Sequence, residues 1–315
     1  MTASVGLAGK PAPPARRRLT GFARLSESRR WAYYLLLPSL LMILAIVLYP
    51  TVWGMTLSFR EMRLNRLDLG TGFVGFKHYI ALWNDAIFWL SLRNTAIWVT
   101  GALIGEFLLG LAAALLLHRD LPGSRAAAVM ILLPWFLPKV VAGHMWALML
   151  DPRLGVINDL LIRAGILSTS KAWFADPDTA LAAALVVEIW NGFPFFALLV
   201  LAGLKAIPQD LYEAAACDGA RAWRQFMHIT LPQLKVIIVA AVVLRVITLV
   251  NSPDILLILT GGGPGRSTLV LSLYAFLKVN KEFNFGYGSA LAVVLFLLLM
   301  VFSYLYVRLS NVMKD

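Results

Sequence analysis

Charge is scarce in this chain. Only 14% of its 315 residues are Asp, Glu, Lys or Arg, against about 25% in an ordinary soluble domain, while 60% are hydrophobic. A composition so poor in charge belongs to a membrane protein and excludes a soluble enzyme. Cysteine is nearly missing as well. Cys217 stands alone, which rules out an intramolecular disulfide framework and a thiolate zinc cage, and it reads as a small packing residue. The four histidines, His78, His118, His144 and His228, lie far apart and lack the i, i+4 pairing of a helical metal site. No nucleophile elbow occurs. The glycine-rich run Gly261-Gly262-Gly263-Pro264-Gly265-Arg266-Ser267-Thr268 is followed by no Gly-Lys-Ser/Thr, and an apolar run precedes it, so it is no phosphate loop. The expectation is a chain without catalysis, cofactor or metal.

What fills the sequence instead is long apolar runs. Six reach the roughly twenty residues that a bilayer core requires, near 31–59, 90–117, 126–150, 179–204, 236–259 and 289–307. The expected fold is therefore all-α and integral to the membrane, with six transmembrane helices. Two regions follow: a flexible basic tail over residues 1–30 and a membrane domain over 31–315. The tail holds Lys10, Arg16, Arg17, Arg18, Arg24, Arg29 and Arg30 against Glu27, suited to the cytoplasm and to anionic lipid headgroups. A cleaved signal peptide is disfavoured, because the apolar run after the tail is too long. The net charge of +11 reads as the positive-inside bias and not as a nucleic-acid footprint, since basic residues crowd the ends of the runs. With the amino terminus inside, inner segments hold fifteen Lys/Arg and outer segments eleven over a longer length, counting Arg93 at the outer edge of the second run. That orientation puts both termini, and the segment around Glu213, in the cytoplasm.

Residues 208–234, PQDLYEAAACDGARAWRQFMHITLPQL, form a helix-capable stretch that no bilayer accepts. Pro208 and Asp210 suit a helix start, the alanine-rich run through Cys217 its body, and Asp218-Gly219 its stop. A second helix is expected from Ala220 to Thr230, ending where Pro232 opens the next apolar run. Two short helices bent at a glycine would make a rigid polar knob. In Glu213-Ala214-Ala215, Asp218-Gly219-Ala220, Phe226, Ile229 and Leu231-Pro232, this stretch resembles the EAA loop of permease subunits of bacterial ABC importers. Leu259-Thr260-Gly261-Gly262-Gly263-Pro264 resembles the turn after the fifth span in the carbohydrate-type branch. The resemblance covers about residues 31–310. It implies the type I importer fold, a bacterial inner membrane, and coupling through Glu213, Ala214, Ala215, Asp218 and Gly219. It also implies partners: a second, homologous permease, two ATP-binding subunits that carry the ATP and Mg, an external solute-binding protein and a sugar-type solute.

Ionisable residues inside apolar runs are costly and call for a partner or a function. They are Glu106, Lys139, Glu188, Arg245 and Asp254. From their depths, the pairs Arg245–Glu106 and Lys139–Glu188 are expected. Trp190, Asn191, Phe195, Asn251 and Asp254 offer the amides, carboxylate and aromatic faces that sugars use, near Gly192 and Pro194, which are expected to loosen the fourth span. Pro253 is expected to free a backbone carbonyl in the fifth. Gly101, Gly105 and Gly110 suit close helix packing. Two further readings stay open: an ion-gradient transporter with Glu106, Glu188 and Asp254 as ion sites, and a permease for an anionic sugar derivative or a glycerol phosphodiester.

Overall fold

The computed structural model describes residues 33–66, 68, 70–119 and 122–310. The basic tail and the last five residues lie outside this set, so the expectations placed on them concern undescribed residues. The chain divides into two compact units, residues 1–54 and 55–315.

In the first unit, helix α1 (Tyr33–Leu57, running over the boundary) carries a widened π turn at Ile43–Leu48. The turn falls just before Pro50, whose ring and missing N–H oppose a regular bond to the carbonyl four residues back.

The second unit is helical throughout. Among the described residues the only β pairing is two isolated bridges, Arg60↔Phe73 and Arg63↔Asn284. After α2 (Lys77–Trp83) comes α3 (Ala86–His118), which Asp85 caps by accepting from the Ile87 N–H at 2.9 Å. The expected third span is broken. Helices α4 (Ser124–Phe136) and α5 (Lys139–Met149) meet at 98° across Leu137-Pro138, where the proline forces its predecessor into an extended conformation. Helix α6 (Val156–Arg163) lies in the following connection, and α7 (Ala180–Ala206) runs unbroken through Gly192 and Pro194. The expectation that these two residues loosen α7 is thus corrected.

The knob comprises α8 (Gln209–Cys217) and α9 (Ala222–Gln225). The second arm does not end at Pro232. It passes through a π turn, Phe226–Thr230, into α10 (Leu231–Asn251), and the widened turn again sits immediately ahead of a proline. Ser252-Pro253 interrupts the rod before α11 (Asp254–Leu259), so the fifth run belongs to a 38-residue helical stretch from Ala222 to Leu259 and not to an isolated span of 236–259. Helices α12 (Leu271–Asn280) and α13 (Phe285–Leu309) complete the unit. Five of these helical stretches are long and apolar enough to cross a membrane, or six if α4 and α5 form one span.

The packing is that of a protein in lipid. Glu106 and Glu188 are 0% and 1% exposed, while Leu108 and Leu109 on α3 are more than half exposed. Water would invert that arrangement; hydrocarbon permits it. Because lipid is as apolar as leucine, helices associate here by close fit, and small residues supply it. On α3, Gly101 faces Leu185, Gly105 faces Ile189 and Gly110 faces Phe196 and the backbone of α7. A methyl group at Gly110 would stand 2.8 Å from the Phe193 carbonyl oxygen, so α3 and α7 are locked together.

Candidate functional site

Three helices meet at one buried ion cluster. Arg245 on α10 grips Glu106 on α3 with two hydrogen bonds, Nε to Oε2 and Nη2 to Oε1, each 2.5 Å, and Nη2 also reaches Glu188 Oε1 on α7 at 2.8 Å. The expected Arg245–Glu106 pair is present. The expected Lys139–Glu188 pair does not form: Glu188 turns to the guanidinium, and Lys139 pairs with Asp254 at 3.7 Å. The break at Pro138 explains the exchange, because it places Lys139 at the first turn of α5, against α11, whose first residue is Asp254. Glu188 keeps one oxygen, Oε2, buried and without a hydrogen-bond partner. Gly192 makes room for the cluster. A methyl group there would lie 2.1 Å from Arg245 Nη2 and 2.2 Å from Glu106 Oε1.

The residues expected to line a path each make contacts of their own. Asn191 is buried and donates to the Pro134 carbonyl at 2.8 Å, fixing α7 to α4 beside the broken span. Trp190 is half-buried and meets Trp146 edge to face. Phe195 packs edge to face on Phe196. Asn251 is exposed and donates to the Ile247 carbonyl of its own helix at 2.9 Å. Asp254 is half exposed in its bridge to Lys139.

The knob is exposed. No residue of α8 is buried, and Glu213, Ala214 and Asp218 are exposed, with Ala215 half-buried. At its bend Gly219 adopts φ +76°, and the Ala220 N–H returns to the Ala215 carbonyl at 2.9 Å, closing the helix in the left-handed manner that glycine permits. The arms are braced by a hydrogen bond between the Tyr212 and Thr230 hydroxyls at 2.9 Å and by Trp223 stacked on Phe226. Trp223 itself is 70% exposed.

A second polar cluster, at the far end of α3, could not be read from the sequence. Asp85 Oδ2 accepts from Tyr274 and Tyr287 at 2.7 and 2.6 Å, and Lys278 lies over both rings. Burial works against the Asp85 charge, yet the two hydroxyls and the Ile87 N–H hold its carboxyl below the usual range. Burial and the Asp85 bond push the Tyr274 hydroxyl far up. Nearby, the hydrogen bond from Lys77 at 2.9 Å lowers the Glu61 carboxyl despite its burial. Asn94 donates to the carbonyls of Arg266 and Leu269, pinning the glycine-proline turn to α3. Separations above 170 residues hide such contacts from any local pattern. Among the described residues no cluster of His, Cys, Asp or Glu is arranged to hold a metal.

A polytopic helical membrane protein, with a buried ion cluster and an exposed two-armed knob rigidly joined to a span, has the architecture of a transporter's membrane subunit. Residues 106–314 match the family described as "Binding-protein-dependent transport system inner membrane component", and the chain belongs to that family. It is similar to the sulfoquinovosyl glycerol transport system permease protein SmoG of Agrobacterium fabrum, with 39% identity over 78% of this chain and 79% of that one. The trehalose/maltose transport system permease protein MalF of Thermococcus litoralis is 34% identical over 90% of this chain and 94% of its own. SugA, the trehalose transport permease of Mycobacterium tuberculosis, is 32% identical over 91% and 90%. The fold matches a solved bacterial ABC transporter involved in import of the acidic polysaccharide alginate, with TM-score 0.79 and 22% identity over 93% of this chain and 100% of that one. The protein is a multi-pass permease subunit of an ABC importer; in such importers ATP hydrolysis belongs to a separate subunit.

Proposed function

We propose that this permease lines half of the path for a neutral sugar and takes its motion from an ATPase at the knob. The observation that carries the coupling role is continuity: the second arm of the knob runs without a chain break into α10 and so to Arg245. A push on Gln209–Cys217 would therefore act on the helix that holds the ion cluster, by rigid-body transfer. The partners are a second, homologous permease, two ATP-binding subunits that hold ATP and Mg, and an external solute-binding protein. Both termini and the knob face the cytoplasm, where ATP is.

The solute class rests on the relatives named for trehalose and maltose. A second reading, an anionic sugar derivative, is favoured by the relative named for sulfoquinovosyl glycerol, a sulfonated sugar. The buried cation argues for the neutral solute, because two carboxylates already occupy Arg245. Proteoliposomes of the complete importer, tested with trehalose, maltose and a sulfonated sugar through the cognate binding protein, decide between them. Uptake confined to the sulfonated sugar overturns the neutral reading. Gly219→Asp is expected to leave membrane insertion intact and to abolish binding-protein-stimulated ATPase; unchanged stimulation removes the coupling role.

A further inference from the structure

At the end of α7 away from the knob lies an apolar pocket of ≈ 400 Å³, formed with α5, α6 and the strap between α6 and α7. Trp146, Leu161, Trp173, Ala182 and Val186 are among its walls. Ala182 and Val186 stand on the exposed side of α7, two and six residues inside its first residue, so the pocket opens about 3–9 Å below that end at 1.5 Å per residue. With 27 residues α7 is about 40 Å long against a hydrocarbon core of about 30 Å, so the deeper part of the pocket, at Val186, reaches the level of the acyl chains. A basic group lies beside one wall. The Lys171 ammonium lies 5.4 Å from the centre of the Trp173 ring, only partly exposed and 3.5 Å from Asp176. Arg153 is exposed on the connection between α5 and α6, and the Ser170 hydroxyl ties the strap to that connection through the Pro152 carbonyl.

We propose that this pocket is a phospholipid site, with an acyl chain between Trp146, Trp173 and Val186 and an anionic headgroup on Lys171. Three features fit an amphiphile. The walls are apolar at a depth where acyl chains are the solvent. A basic group sits on an indole of that wall, toward the end of α7 where headgroups lie. The pocket is a recess between packed elements, whereas a helix of a neighbouring subunit is about 10–12 Å across and would meet only its rim. The bound lipid would hold the α6 strap against α5 and α7, whatever the solute carried.

The test uses the full chain with its partner subunits in nanodiscs of phosphatidylglycerol and phosphatidylethanolamine, with the photoreactive residue p-benzoylphenylalanine at position 182. Illumination should give an adduct with the mass of a phospholipid, several-fold above the same probe at the lipid-exposed position 108. A polypeptide adduct, or a yield no higher than at 108, overturns the site. Native mass spectrometry supplies a second readout: Ala182→Trp should lose the retained lipid, and Lys171→Gln should lose the preference for phosphatidylglycerol. Retention unchanged in Ala182→Trp refutes the acyl pocket, and an unaltered preference in Lys171→Gln refutes the headgroup contact.

Discussion

Arg245 decides the stability of the membrane core because it answers two carboxylates at once. Removing it leaves Glu106 and Glu188 buried without a counter-charge, which costs on the order of 3–5 kcal/mol for a broken buried pair. Arg245→Ala should therefore abolish folded, detergent-stable protein, read as loss of the monodisperse peak in size-exclusion chromatography. The two glutamates should differ. Glu106 accepts two of the three hydrogen bonds and Glu188 one, with an orphan oxygen. Either change brings the formal charge of the cluster from −1 to zero, so the hydrogen bonds decide: Glu188→Gln should be tolerated, whereas Glu106→Gln, which disturbs the two-bond grip of Arg245, should lower the thermal midpoint clearly. Equal losses in the two variants would contradict this division. Gly192→Ala should behave like Arg245→Ala, since its methyl group lands on the ion pair. Most of this was legible only in part. Five intramembrane charges were visible in the sequence, and so was one of the pairs; the partner of Glu188 was not, because it depends on where the chain breaks at Pro138.

The knob and the rod beyond it carry the element-scale argument. At Gly219 a side chain would meet nothing within 4 Å, so the need for glycine there is conformational and not steric. The left-handed φ costs an ordinary residue roughly 1–2 kcal/mol, and asparagine less. Gly219→Asn should keep more coupled ATPase than Gly219→Val in reconstituted importer, and the reverse order would show that bulk matters instead. The alanine-rich helix and its glycine stop could be read directly, as propensity and capping are local. The continuation through Pro232 could not, since a proline commonly ends a helix and the π turn that admits it is a property of the folded rod.

At the scale of the molecule, the end opposite the knob is held by polar clamps that respond to pH. The Glu61 carboxyl is lowered by the bond from Lys77, and Asp85, against its burial, by Tyr274 and Tyr287. A carboxyl lowered in the folded state contributes stability that is complete above its unfolded value and is lost as pH falls through the folded one. The loop regions around α2 and α12 should thus stay closed at neutral pH and loosen only well below pH 4.5, the ordinary value for Glu61. Hydrogen exchange at pH 7 and pH 3.5 would check this, and opening that begins near pH 6 would count against it. The sequence alone determined the membrane class, the apolar runs, the polar loop and the charges that needed partners, because hydropathy and helix signals are written in neighbouring residues. Only the tertiary structure decided which charges meet, that the third span is bent by 98°, and that Gly192 is a cradle for an ion pair. The charge pairing and the cradle depend on approaches between helices far apart in the chain, where fit within a few tenths of an ångström leaves no local trace.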